Sequence, residues 1–331
     1  MDKQVQKLKV AVVGCGYWGQ HLVRNFSDLG VLCAVVDYDE NRAKIFAKDY
    51  KVAAQKWDEV LTDTNIDAVS IATPAATHGA LAVQALEHGK HVLVEKPMAL
   101  DIKEAETIVA LAKRSDRILM VGHLLQYHPA FLSLRDLSEK NCLGKLRYIY
   151  SNRLNFGKFR SEENILWSFA PHDISMILSL TGCSPLHVTA VGQSYLGPGI
   201  ADSTITHLSF ESNLQAHVYV SWLHPFKEQK LVVIGDKAMA VFDDTQQWDR
   251  KLLLYPHSVE KGTGPPVAKK ETSIALPLQP LEPLRQECLH FLECITEGKV
   301  PRTNAEEGLN VLRVLTAAQE ALDLSINRMA Q

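Results

Sequence analysis

"LKVAVVGCGYWGQ", residues Leu8 to Gln20, decides the fold of this 331-residue chain. Its first half, Leu8–Gly14, is a short apolar run of the kind that forms a buried parallel strand. Its second half sets Gly14, Gly16 and Gly19 in a G-x-G-x-x-G pattern, and a helix is predicted from about Tyr17 to Leu29. A second strand follows at "VLCAVVD", Val31–Asp37, so an acid ends it eighteen residues after Gly19. Strand, glycine turn, helix, strand and acid together form a dinucleotide-binding fingerprint. Gly14 permits the tight turn, Gly16 lets backbone approach a pyrophosphate, and Gly19 allows helix and strand to pack closely. The helix N-terminus adds amide donors and a partial positive charge. Asp37 suits the adenosine ribose hydroxyls and repels a 2′-phosphate, which favours NAD; Arg42 nearby leaves NADP open. The bland alternative is a glycine turn that binds nothing.

Working outward, the alternation continues. A helix is expected over Glu40–Asp49, a short strand near Val52 and a strand at Asp67–Thr73. Further on come a helix over Ala75–His88, a strand at His91–Val94, a helix capped by Asp101, and a strand at Ile118–Gly122. Such β-α-β repetition predicts a doubly wound parallel sheet, a Rossmann domain over residues 1–123. From Leu124 the rhythm changes to runs that alternate or carry β-branched residues: Leu146–Phe156, Leu186–Tyr195, Ser203–Phe210, Gln215–Val220, Leu231–Ile234 and Lys251–Tyr255. A helix over Phe169–Leu180 interrupts them, and two helical patterns, Leu284–Ile295 and Glu306–Leu324, close the chain. Residues 124–331 are therefore expected to form an α+β domain with a large open, mostly antiparallel sheet. The fold class is α/β with this second domain appended.

Composition narrows the partners. The chain is 46% hydrophobic and 22% charged with a net charge of −3. That balance predicts no nucleic-acid partner and no anionic membrane surface. No apolar run reaches the ~18 residues of a membrane span, and Met1–Lys9 does not read as a signal peptide. Six cysteines lack metal or disulfide spacing, and the histidines show no ligand spacing, so no metal is expected. The expected compartment is cytoplasmic.

"HVLVEKPMAL", His91–Leu100, carries the chemistry. A sheet core does not hold an unpaired charge cheaply, so Lys96 must sit where the strand leaves it. In an open α/β sheet that edge is where ligands bind. Tyr17, Trp18, the strand-end pair Thr73-Pro74, His78, Glu95 and Lys96 complete the expected cofactor groove.

These motifs, with "ATPAATH" (Ala72–His78), "EKPMAL" (Glu95–Leu100) and "LRQECLHFLECITEGKVPRTNAEEGLNVL" (Leu284–Leu312), resemble the glucose–fructose oxidoreductase / inositol dehydrogenase / rhizopine-catabolism (Gfo/Idh/MocA) family over the whole chain. The resemblance implies an NAD(P)-dependent oxidoreductase acting on CH–OH groups, a catalytic Lys96, a cis Lys96–Pro97 bond, and dimers or tetramers formed over the open sheet face. A narrower resemblance lies in "SNRLNFGKFRSEENILWSFAPHDISMIL" (Ser151–Leu178). It is similar to nucleotide-sugar 3-dehydrogenases, which oxidise the 3-hydroxyl of UDP-N-acetylglucosamine or its uronic acid and hand a 3-keto sugar to an aminotransferase.

Alcohol oxidation needs a base within reach of the hydroxyl. Lys96, with a reference pKa of about 10.4, must shift down by roughly three units to serve. His172, near 6.5, needs almost no shift. His172 is the better base on that ground, with Lys96 orienting the hydroxyl; the resemblance makes them a pair. Ser168 and Ser175 stand where many family members carry acids around this histidine, so the group that orients the imidazole is left open. Asp173 adjoins it, but helix neighbours point apart. Arg153, Lys158 and Arg160 are candidates for a diphosphate, Asn152, Asn155 and Asp173 for the sugar, and His123 and Tyr127 for sugar or nicotinamide. Trp167 and Trp222 are stacking candidates, with core packing as their alternative. Two competing functions remain: a free-sugar or inositol dehydrogenase, and a non-catalytic dinucleotide-dependent regulator.

Overall fold

The computed structural model describes residues 7–157, 159–197, 199–260 and 262–329. The chain divides into two compact units, Met1–Tyr127 with Glu282–Leu312, and His128–Leu281 with Arg313–Gln331.

The first unit is built on a six-stranded parallel sheet. In chain order its elements are β1 (Val10–Val13), α1 (Gly19–Asp28), β2 (Leu32–Val36), α2 (Glu40–Tyr50), β3 (Ala53–Ala54), α3 (Trp57–Thr62), β4 (Ala68–Ile71), α4 (His78–Glu87), β5 (His91–Glu95), α5 (Ile102–Ser115) and β6 (Leu119–Gly122). All four residues of β1, β4 and β6 are buried. This is why they read as continuous apolar runs: helices cover both faces of a parallel sheet. Asp39 and Asp101 cap α2 and α5 by accepting from the first-turn amides, as their positions predict. The strand order is β3-β2-β1-β4-β5-β6. It reverses between β1 and β4, and the crevice at such a switch point binds the ligand.

The second unit opens with α6 (Pro129–Glu139) and holds β7 (Leu146–Phe156), α7 (Ile165–Thr181), β8 (His187–Gln193), β9 (Ser203–Ser209), β10 (Gln215–Ser221), β11 (Leu223–Gly235), β12 (Met239–Asp243), β13 (Leu252–Tyr255), the ribbon β14 (Ser258–Glu260) and β15 (Val267–Lys269), and β16 (Ile274–Ala275). Its eight-stranded sheet runs β16-β13-β12-β11-β7-β10-β9-β8. Among the described residues only its β7–β10 pair is parallel. Ala216, Val218 and Val220 of β10 are buried, on the face that α7 covers. The alternate residues are half-buried, and Tyr148 and His217 meet there at 2.6 Å, with Tyr150 stacked on the imidazole. The open, mostly antiparallel sheet expected from the alternating runs is present.

Two helices close the chain, α8 (Pro283–Glu297) and α9 (Ala305–Met329). α8 and the start of α9 belong to the first unit. Cys288, Phe291 and Leu292 join the core cluster of Val10, Phe26 and Leu93, and Asn304 pairs with Met120 of β6. Among the described residues no helix is long and apolar enough to cross a membrane.

Candidate active site

At the end of β1 the backbone turns at Gly14, with φ +93°. A Cβ there would lie 2.6 Å from the Ala72 carbonyl oxygen, and one at Gly19 would lie 1.8 Å from that of Gly14. Neither position tolerates a side chain. At Gly16 a Cβ would meet nothing within 4 Å, so this side of the loop is open for a ligand to approach. Asp37, just past β2, is braced against the loop: its Oδ2 accepts from the Cys15 backbone N–H at 2.7 Å and its Oδ1 from that of Asp39 at 2.9 Å. Arg42 reaches the same Oδ1 at 3.4 Å. Burial, and then the Asp37 charge, push the Cys15 thiol up to about 12, so it stays protonated. Amide donors at an open glycine turn, a helix N-terminus and a fixed carboxylate fit a dinucleotide's pyrophosphate and ribose.

The neighbouring strand ends complete this edge. Thr73 and Pro74 follow β4, and the Thr73 hydroxyl meets that of Thr77 at 2.7 Å. His78 starts α4 and is buried; Nδ1 lies 2.8 Å from the Pro97 carbonyl and Nε2 2.8 Å from that of Thr73. Burial pushes its pKa down. Glu95 ends β5. Its carboxylate receives the Trp18 indole N–H from the glycine loop, and the Lys96 backbone N–H at 3.3 Å. Gly122 stands opposite Glu95 in β6, and a Cβ there would come within 2.9 Å of the Glu95 carboxylate. Lys96 is half-buried at the strand exit, and the Lys96–Pro97 bond is cis. Thus Trp18 ties the glycine loop to the strand end that presents Lys96.

Two carboxylates here were not singled out from sequence. Glu307, in the first turn of α9, meets Nδ1 of the buried His123 at 2.7 Å. Glu287 of α8 is fully buried, and neither of its oxygens has a hydrogen-bond partner. Burial and then the field of Glu95 raise its pKa well above the ordinary carboxyl value. Tyr127 lies in the core: its hydroxyl meets Thr303 at 2.8 Å, and Arg302 covers its ring at 5.0 Å.

In the second unit, His172 follows Pro171 inside α7 and is half-buried. Asp173 beside it is 1% exposed and is held by β7 side chains. Its Oδ2 accepts from Arg153 Nε at 2.7 Å, and its Oδ1 accepts from Ser151 Oγ at 2.5 Å and Arg153 Nη2 at 3.2 Å. Two of the expected substrate residues therefore form a bidentate ion pair with each other, clamping α7 to β7. Asn152 donates to Glu228 at 2.7 Å, and Asn155 is half-buried. Arg160 is exposed and paired with Glu163 at 3.1 Å. Lys158 lies outside the described residues. Trp222 is buried, with its indole N–H donating to Asp202 at 2.5 Å, and Trp167 donates to Gln319 at 3.0 Å.

Comparison with known proteins agrees with this geometry. Residues 8–123 match the model of an "oxidoreductase family, NAD-binding Rossmann fold", and residues 131–241 match the "GFO/IDH/MocA C-terminal domain". The UDP-N-acetylglucosamine 3-dehydrogenase of Acidithiobacillus ferrooxidans is 34% identical over 187 residues. That match covers 56% of this chain and only 58% of that protein. The scyllo-inositol 2-dehydrogenase (NAD(+)) of Bacillus subtilis is 26% identical over 321 residues, covering 91% of this chain and 89% of that one. The solved structure of the Acidithiobacillus enzyme aligns with a TM-score of 0.85 at 26% identity, over 96% of this chain and 98% of that one. Fold and glycine loop define an oxidoreductase with a nicotinamide-dinucleotide-binding Rossmann domain. The chain belongs to the Gfo/Idh/MocA family.

Proposed function

We propose that the protein is an NAD-dependent dehydrogenase that oxidises the 3-hydroxyl of a UDP-N-acetylhexosamine, UDP-N-acetylglucosamine or its uronic acid, to a 3-keto sugar. The observation that carries the reading is Lys96 at the carboxyl end of β5, joined through Glu95 and Trp18 to the glycine loop. Similarity to the Acidithiobacillus enzyme supplies the substrate class.

A bound nicotinamide supplies the hydride acceptor. The chain's own residues manage the proton. His172 takes it from the hydroxyl as general base. Lys96 orients the hydroxyl and stabilises charge developing on its oxygen. Gly14, Gly16, Gly19 and Asp37 hold pyrophosphate and ribose. Asp37 disfavours a 2′-phosphate; Arg42 moderates that preference. Arg153 is committed to Asp173, which leaves Arg160, exposed and paired with Glu163, as the described cation for the diphosphate, together with Lys158. Release of a 3-keto sugar to an aminotransferase, and a homodimer or homotetramer formed over the open sheet face, belong to the same reading.

A second reading, an inositol or free-sugar dehydrogenase, is favoured by the similarity to scyllo-inositol 2-dehydrogenase, which spans nearly the whole chain. The deciding experiment follows NAD reduction with UDP-N-acetylglucosamine, its uronic acid, inositols and free hexoses, with an aminotransferase added to remove ketone. Reduction with the nucleotide sugars alone supports the first reading, and reduction with inositols alone supports the second.

A further inference from the structure

His78 sits between acceptors only. Its ring is 2% exposed, with the Pro97 carbonyl oxygen 2.8 Å from Nδ1 and the Thr73 carbonyl oxygen 2.8 Å from Nε2. The Glu95 carbonyl also faces the ring. A carbonyl oxygen never donates, and a neutral imidazole carries one N–H. Each contact therefore needs a proton of its own, and a neutral ring supplies one. The two carbonyls belong to different elements: Thr73 follows β4 at the dinucleotide edge, and Pro97 directly follows Lys96 after β5.

We propose that His78 is the positioning residue for Lys96: it ties the turn that presents the lysine to the strand end beneath the dinucleotide, with its single ring proton on Nδ1 and given to the Pro97 carbonyl. In this arrangement Nδ1–H holds the Pro97 turn while Thr73 faces the unprotonated Nε2; only the imidazolium would make both bonds. The charged groups facing the clamp are the Lys96 ammonium from the turn and, from α5, Glu104, whose carboxylate lies against Gly79. Burial disfavours the imidazolium and outweighs the Pro97 and Thr73 carbonyls, which favour it, and the Lys96 charge adds to burial, so the neutral, one-proton ring is the working form. The inference rests on the dehydrogenase reading for its effect on turnover, and on hydrogen-bond chemistry alone for the clamp itself.

The two contacts can be separated by side-chain length. Asparagine places its amide nitrogen near the position of Nδ1, and glutamine places one near Nε2. His78→Ala is expected to lower turnover of UDP-N-acetylglucosamine about a hundredfold, as a misplaced reacting group does, with a smaller rise in the NAD dissociation constant. His78→Asn restores at least about tenfold of that loss, the worth of one hydrogen bond, and His78→Gln does not. Equal rescue by both variants, or a loss that falls on NAD binding and not on turnover, overturns the proposal. A second readout is independent of activity. Long-range proton–nitrogen spectra of the histidine-labelled wild-type protein should show one ring proton on His78, shielded from solvent exchange, at mildly alkaline pH. A freely exchanging ring proton would remove the clamp even if the enzyme turns over. A wild-type protein that oxidises no nucleotide sugar but shows the shielded proton would sink the functional reading and leave the clamp standing.

Discussion

Asp37 shows how much one carboxylate decides. One oxygen is held by the Cys15 amide, and the other by the Asp39 amide with Arg42 beyond it, so its position is fixed before a dinucleotide arrives. A 2′-phosphate would bring like charges together, which costs several kcal/mol when they are held close. Asp37→Ser is therefore expected to raise the NADP-to-NAD ratio of kcat/KM at least about tenfold; an unchanged ratio would remove Asp37 from cofactor choice. The residue types of this loop were legible because each glycine answers a local need: Gly14 takes a positive φ, and Gly19 has no space for a Cβ. The partners of His123 and Asp173 were not. Glu307 lies 184 residues from His123, and Arg153 twenty from Asp173. No local pattern links residues that only tertiary packing brings together.

Among the elements, α5 begins at Asp101, whose side chain accepts from the Lys103 and Glu104 amides at 2.9 and 3.1 Å. Asp101→Ala should cost about 1 kcal/mol, read as a lower urea midpoint with an unchanged slope. The β7–α7 clamp is a heavier matter. Arg153 is 11% exposed and Asp173 1%, so Asp173→Ala leaves a nearly buried guanidinium unpaired. A loss of about 3–5 kcal/mol is expected; a loss below 1 kcal/mol would mean that the pair is dispensable. Continuous apolar runs made β1, β2, β4, β5 and β6 readable, and alternation made β7 readable. Several elements escaped: α3, α6, β12, β14, β15 and β16 were not expected, and β11 was expected only in its second half. α3 spans six residues and opens on Asp58 and Glu59, too short for a helical stripe. α6 starts at a Pro that follows His128, where the sequence signals a break. β11 begins at Leu223 rather than Leu231, because Pro225 and the charged Lys227 and Glu228 hide its first half. There the pairing with β7 skips from Leu223 to Glu228, as a proline without an N–H requires.

At the scale of the whole molecule, helices from the C-terminal part of the sequence complete the first unit's core, and one of them brings in Glu287. The fold raises this carboxyl's pKa well above 4.5. Folded protein thus binds the proton more tightly than unfolded chain does. The sign follows: below about pH 4.5 both states are protonated and there is no penalty, and as pH rises the unfolded chain gains by ionising. Glu287→Gln keeps the shape and removes the ionisation. Its melting temperature should match the wild-type value most closely near pH 4.5 and exceed it by a growing margin toward pH ~8; a constant offset would mean that Glu287 ionises freely in the fold. The parallel sheet and the change to a mostly antiparallel one were open to sequence reasoning because period and turn chemistry are local. The return of residues 282–312 to the first unit was not, since a helix's amphipathic stripe does not say which core it covers. The central claim, that the amine after β5 drives alcohol oxidation, meets its most direct test in single-turnover NAD reduction with UDP-N-acetylglucosamine, comparing wild type with Lys96→Ala at saturating NAD. The account predicts a rate lower by about a thousandfold with NAD still bound; a wild-type rate in the variant would contradict it.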